Sequence, residues 1–149
     1  MIEVITALTA RLQAASIGTF GTNLFANYFP DSPDAMVAVM DGPGTAPTYT
    51  ATGIKIRHAT VQVFARGVPT AQGYVDAQQK AEAVHRSLNF ANTTVANIRF
   101  LDCHPVDEPH MVEKDENDRP TYSVNFELSY EAPTGSVSPF NITSPLPTP

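Results

Sequence analysis

The chain has 149 residues and 42% hydrophobic content, enough for one domain with a real core and too short for two comfortable ones. Its charged content is 16%, below the roughly 25% usual for a soluble domain, which points to some surface being covered by a partner. A net charge of −6 excludes strong non-specific attraction to nucleic acid or to an anionic membrane, because both depend on cationic groups displacing counterions.

The chain opens Met1-Ile2-Glu3-Val4 with no basic segment leading into an apolar run, and no later stretch approaches the roughly 18 apolar residues of a membrane span. Neither a classical export signal nor a membrane segment is expected. The lone Cys103 cannot form an internal disulfide, so the fold does not depend on an oxidising compartment and a cytoplasmic origin fits.

Ile2, Val4, Ile5, Leu8 and Leu12 recur at helical spacing and predict an amphipathic helix over residues 2–15, ended at Ser16-Ile17-Gly18. Residues 23–29 alternate at period two and predict a strand, closed by Pro30-Asp31-Ser32-Pro33-Asp34. Residues 35–41 are apolar on both faces, as in an inner strand covered on both sides, and Asp41-Gly42-Pro43-Gly44 ends them. The Thr, Ala, Pro and Gly content of residues 45–58, with Lys55, Arg57 and His58 at the end, predicts a long exposed loop. Residues 60–66 return to a strand pattern.

Thr70 then caps a second helix. Tyr74, Ala77, Ala81, Val84 and Leu88 make its apolar stripe, Asp76, Lys80, Glu82 and Arg86 face water, and Gly73 weakens its first turn. Ile98, Phe100, Leu101 and Cys103 point to another inner strand, and residues 110–113 to a short strand before a polar turn over residues 114–120. From Tyr122 to Tyr130 apolar and polar residues alternate strictly, giving one core face and one wet face. Residues 132–149 are rich in Pro, Ser and Thr and predict an extended arm. The expected fold is α+β: a mainly antiparallel sheet of about four to six strands against two helices. Residues 1–131 would form the domain and residues 132–149 a Pro-rich C-terminal arm.

No constellation here is expected to catalyse a reaction or to hold a metal or cofactor. The densest reactive group is Asp102, Cys103, His104, Asp107, Glu108 and His110. Cys103 and His104 are neighbours on a predicted strand and therefore point to opposite faces, which rules out a thiolate dyad. Asp102 and His104 share a face, yet their spacing to His110 matches no familiar zinc pattern. Asp115-Glu116-Asn117-Asp118 is interrupted as a calcium loop by Arg119 and Pro120, and reads as an acidic hairpin tip. The glycines of residues 41–44 precede neither a Lys-Ser/Thr pair nor a helix, so they form a turn and not a phosphate cradle. His58 and His85 lack sequence partners and read as boundary histidines.

Three patterns, in order, resemble the minor capsid or tail terminator (tail completion) family of long-tailed bacteriophages. The first is Ile17-Gly18-Thr19 followed by Asn23-Leu24-Phe25 and Phe29-Pro30-Asp31-Ser32-Pro33-Asp34. The second is Val61-Gln62-Val63-Phe64-Ala65-Arg66-Gly67 before the long helix. The third is Asp118-Arg119-Pro120 leading into Ser123-Val124-Asn125-Phe126, with Asp118 where the family usually has glycine. The resemblance implies a structural virion protein, assembled in the host cytoplasm. Its subunits would close a hexameric ring at the head-proximal end of the tail tube, stop tube growth and offer a surface to a head completion or stopper protein of the neck. DNA would pass through the lumen without specific binding. The segments offered for interfaces are residues 45–58, the turn at residues 115–118 and the arm. Two other readings remain open: another neck component, and a dimeric small-molecule enzyme with a pocket between sheet and helices. The last strand disfavours the enzyme by sending its polar residues to the other face.

Overall fold

The computed structural model describes residues 2–132, with all of residue 2 but its side chain. The element order is α1 (Ile2–Ala14), β1 (Leu24–Ala26), β2 (Met36–Asp41), β3 (Thr45–Tyr49), β4 (Lys55–Arg66), α2 (Ala71–Ser87), β5 (Phe90–Val95), β6 (Ile98–Pro105), β7 (His110–Lys114) and β8 (Pro120–Glu131). The predicted arm, apart from Ala132, lies outside the described residues.

The α+β class and the two helices agree with expectation, but the sheet is mixed and larger than expected. It has eight strands in the order β1-β2-β4-β8-β6-β5, with β3 on β4 and β7 on β8, and β1 runs parallel to β2 while the other pairs are antiparallel. The parallel pair arises because Asn27 takes a left-handed φ of 53° and turns the chain out of β1 after three residues, short of the predicted residue 29. Asn27 then accepts from the Asp41 amide at 2.9 Å, and residues 27–35 carry the chain back to start β2 alongside β1.

β4 and β8 are the spine, paired from Ile56↔Glu131 to Arg66↔Thr121. Each is flanked on its outer side by two shorter strands end to end. β2 and then β3 line β4; β6 and then β7 line β8. The predicted loop over residues 45–58 is therefore a β-hairpin. Its first strand has every residue exposed, so no burial periodicity betrays it, and pairing with β4 alone defines it. Thr50 shapes the tip, its hydroxyl accepting from the Ile54 amide at 3.0 Å, and Gly53 takes φ 90°.

Both helices cover one face of this sheet. Val4, Ile5, Leu8 and Leu12 of α1 and Ala77, Ala81, Val84 and Leu88 at α2 are buried, as their spacing predicted, whereas Tyr74 of the same stripe is half-buried. They meet rows of strand residues such as Val39, Val63 and Val124, which are directly opposite one another. Leu101 is an extra residue opposite β8, a bulge that puts Phe100 and Cys103 on the core face although they are three positions apart. α1 ends with Ser16 at φ 63° and an Ile17 amide bonded to the Leu12 carbonyl, a Schellman closure built without glycine. Lys80, expected to face water, donates from its ammonium to the Ile17 carbonyl at 3.0 Å and ties α2 to that closure. A smaller core of Phe25, Met36 and Ala38 lies on the opposite face, so β2 is covered on both sides as its sequence implied.

The Thr70 hydroxyl accepts from the Gly73 amide at 3.0 Å and caps α2. Thr70→Ala is expected to cost about 1 kcal/mol in denaturant unfolding. A Ser at the same position should restore most of it.

Candidate functional site

The residues that looked most reactive are buried or held by separate neighbours. Cys103 is fully buried, and burial with Asp102 nearby pushes its thiol up to about 12, where no useful thiolate exists near neutral pH. His104 lies on the opposite face, as predicted, and its Nδ1 is bonded to Asp102 while Nε2 faces Glu127 at 3.7 Å. Asp107 does not join them. Its carboxylate accepts from the backbone amide and the side-chain amide of Asn125, at 2.9 and 2.7 Å, standing in for a strand partner where residues 106–109 leave the ladder. Glu108 faces His85 at 3.7 Å, and His110 bonds the Glu108 carbonyl. Among the described residues no group of three or more His, Cys, Asp and Glu is placed to hold a metal ion.

On the sheet face away from the helices, a shallow cavity of about 240 Å³ lies over β4, β8 and β6, with His58, Thr60, Asp102, His104, Glu127 and Ser129 in its wall. His58 bridges Ser129 and Thr48 at 3.0 Å each, so it holds the hairpin to the spine. Of the others, Asp102 is bonded to His104, and the Thr60 hydroxyl donates to the Pro43 carbonyl at 2.6 Å.

The more informative constellation joins three distant segments. Arg66, at the end of β4, is buried and donates only to backbone oxygens: Asp34 at 2.9 Å, Pro30 at 2.9 Å, Asp31 at 3.2 Å and Pro33 at 2.7 Å. Arg119, just before β8, is also buried. Its Nε donates to Asp115 at 2.7 Å, Nη2 to Asp31 at 2.8 Å, and Nη1 to Asp34 at 3.2 Å and to the Asp31 carbonyl. Two guanidiniums thus clamp the 30–34 loop across the end of the spine, with Arg66 over the Phe29 ring and the Phe64 ring tilted against it at 5.5 Å. Burial and the neighbouring Arg119 lower the Arg66 pKa, whereas the hydrogen bond to Asp31 leads those that raise Arg119.

Asp115 organises the turn that delivers Arg119. It accepts from the Arg119 and Asn117 amides at 2.9 and 3.0 Å, and these bonds, with the guanidinium, hold its carboxyl below the usual range. Asp118 takes φ 61°, the conformation glycine favours, so the turn keeps its left-handed step with an aspartate in glycine's place. From sequence alone Arg119 reads as an obstacle to calcium and Arg66 as a strand residue, and nothing joins the two. Two aspartates in one motif and an arginine in each of the others were the available signal.

Among the described residues, large exposed apolar side chains are found at Phe20, Tyr28, Val75 and Val106 and at the two open corners of the sheet. β3 and β7 each have all five residues exposed, and large apolar side chains stand out beside them: Tyr49 and Ile54 at one corner, Met111 and Val112 at the other.

A family model for bacteriophage tail terminator proteins matches residues 11–132. The chain belongs to this family. It is accordingly a structural protein of the phage tail, and the three motifs that carried the resemblance are the segments locked together by Arg66 and Arg119. Gln62 and Ser123, from the second and third motifs, are bonded at 3.0 Å, and Asn23 accepts from the Thr19 amide at 2.7 Å within the first. A tail terminator of this build uses its recognisable residues to hold its shape. The fold is shared with a chain from a solved structure described as the virion of a native gene transfer agent particle, 20% identical over 87% of this chain and 95% of that one, with a TM-score of 0.57. A second solved chain, 16% identical over 87% of this chain and 92% of its own length, gives a TM-score of 0.48. No curated protein sequence matches significantly.

Proposed function

We propose that this tail terminator ends tail-tube growth by closing a hexameric ring on the head-proximal end of the tube and presents its other surface to a head completion or stopper protein of the neck. The observation that carries this reading is the family match over residues 11–132. In this reading the work is done by interfaces and not by chemistry, which fits an Asp102–His104 pair bonded to itself and a Cys103 whose burial keeps the thiol protonated. A ring of identical subunits needs two different patches per subunit, and the open corners at β3 and β7 supply two. A net charge of −6 is compatible with DNA crossing the lumen without adhering.

Electron microscopy of tails assembled without this protein tests the assignment. Overlong tubes are expected; finished tails of normal length that fail to join heads would instead make the chain another neck component. Residues 132–149 carry no charged side chain and act in this reading as an arm laid along a neighbour, separate from the domain of residues 1–131. Deleting them is expected to leave the unfolding midpoint unchanged and to weaken assembly. Unchanged assembly would remove the arm from the mechanism.

A further inference from the structure

The long spine strands give each subunit two chemically different ends. At one end the hairpin of residues 45–58 contains Lys55 and Arg57 and no acidic residue. Arg57 is exposed and Lys55 partly so, and neither forms an ion pair among the described residues. Tyr49 and Ile54 beside them are 65% and 43% exposed, so apolar surface accompanies the two cations. At the other end, Glu113 and Glu116 are exposed and likewise unpaired among the described residues, whereas Asp115 and Asp118 are held by Arg119 and Lys114. Met111 and Val112 stand exposed next to these two free carboxylates.

The ends cannot meet within one subunit. β3 lines the Lys55 end of β4 on its β2 side, and β7 lines the Pro120 end of β8 on its β6 side, so they occupy diagonal corners. The twelve residues of β4 separate them by roughly 36 Å at a rise of about 3.3 Å per residue. Opposite charge and exposed apolar surface at opposite ends of one molecule are the requirements of a head-to-tail contact, in which one patch binds a different patch on the next copy.

We propose that the basic β3–β4 hairpin of one subunit docks on the acidic β7 corner of a second copy of this chain, with Lys55 and Arg57 facing Glu113 and Glu116 and with Tyr49 and Ile54 packed against Met111 and Val112. The assignment rests on the ring reading above and names the interface that reading requires. The spine strands then run around the ring, and for six subunits the radius equals the repeat, roughly 36 Å. Neither patch contains a residue of the arginine clamp, so the contact can be altered without loosening the fold.

The test is a charge-swap cycle on the full chain, read as mass in solution across a concentration series, with particle images of the wild-type protein. K55E/R57E and E113K/E116K are each expected to weaken self-association about tenfold or more, since like charges then face each other across the contact. Mixing the two variants should restore assembly with the two alternating, because the acidic hairpin of one then meets the basic corner of the other and the native basic hairpin meets the native acidic corner. Placing all four changes in one chain should bring association back to within about threefold of wild type, and raising the salt should weaken the wild-type contact. Far-ultraviolet spectra and unfolding midpoints of all variants should match wild type, since every altered side chain is on the surface. A second measurement does not depend on charge: Ile54→Cys combined with Val112→Cys should give disulfide-linked ladders on oxidation that the single variants do not give, with Cys103 buried and silent. Wild-type assembly that tolerates both inversions, or a four-change variant no better than its parents, would overturn the assigned contact while leaving the ring reading intact. A wild-type chain that stays monomeric at high concentration and on tube ends would overturn both.

Discussion

Arg119→Ala is expected to lower the unfolding free energy by about 2–3 kcal/mol, the range for losing several hydrogen bonds between one buried cation and charged or carbonyl acceptors. The ionic part alone would be worth less, because the Asp31 and Asp34 side chains are 88% and 51% exposed and water screens them. The larger loss is architectural. Without the guanidinium, the Asp31 carbonyl and the Asp115 carboxylate lose their shared donor, and the 30–34 loop is held by Arg66 alone. A melting-temperature fall on the order of 10 °C should follow for a domain of this size. Arg119→Lys keeps the charge and loses the fork, so it should recover only part of the difference. A variant that melts like wild type would show that the loop is held by its own packing.

The same constellation sets the acid limb of stability. Asp115 is held below the usual carboxylate range, chiefly by the Arg119 amide, so its contribution is present above the ordinary aspartate value of about 4 and is lost as pH falls through the folded value. Asp115→Asn should therefore be less stable than wild type at neutral pH, and the difference should begin to shrink as pH falls below about 4.

The parts of the fold visible in the sequence are those where burial and period coincide. β8 alternates over its full length because one face meets the helices, and α1 and α2 show their stripes for the same reason. β3 and β5 are harder to see because pairing alone makes them strands: the first is exposed throughout, and the second is a half-exposed run, Phe90-Ala91-Asn92-Thr93-Thr94-Val95, on one edge. The outer face of β8, expected to be wet, is wet only at Glu127; Ser123 and Thr121 are buried where the 30–34 loop and β7 cover that end of the spine. No period records this, since Asp31 and Arg119 are 88 positions apart. For the same reason the motifs announced a family without revealing their job, and the corners proposed for assembly carry no motif at all.

Gly73 offers a test in which local propensity and packing give opposite signs. It sits in the first turn of α2, where replacing glycine by alanine ordinarily gains up to about 1 kcal/mol. Here a Cβ at Gly73 would lie 1.9 Å from the Val68 carbonyl oxygen, and a Cβ at Gly67 would lie 2.2 Å from the Gly73 carbonyl oxygen. Both obstacles are backbone atoms, so no side-chain rotation relieves them. The Gly67 amide is in turn bonded to the Pro120 carbonyl at 2.9 Å, and its neighbours Arg66 and Arg119 lie on either side of that link. Pushing α2 outward would thus pull on the clamp as well as on the core under Ala77. Gly73→Ala and Gly67→Ala are each expected to destabilise by about 3 kcal/mol, the upper end of overpacking costs. Gly21→Ala is the control: nothing lies within 4 Å of its Cβ position, but its φ of 85° leaves a conformational cost of about 1–2 kcal/mol. If Gly73→Ala stabilises in denaturant unfolding, the close approach of the β4–α2 turn is not what this position requires glycine for. If both glycine variants fall well below the control, the Arg66-Gly67 pair is explained by contact on both sides: a guanidinium gripping the loop and a bare Cα letting the helix reach the sheet.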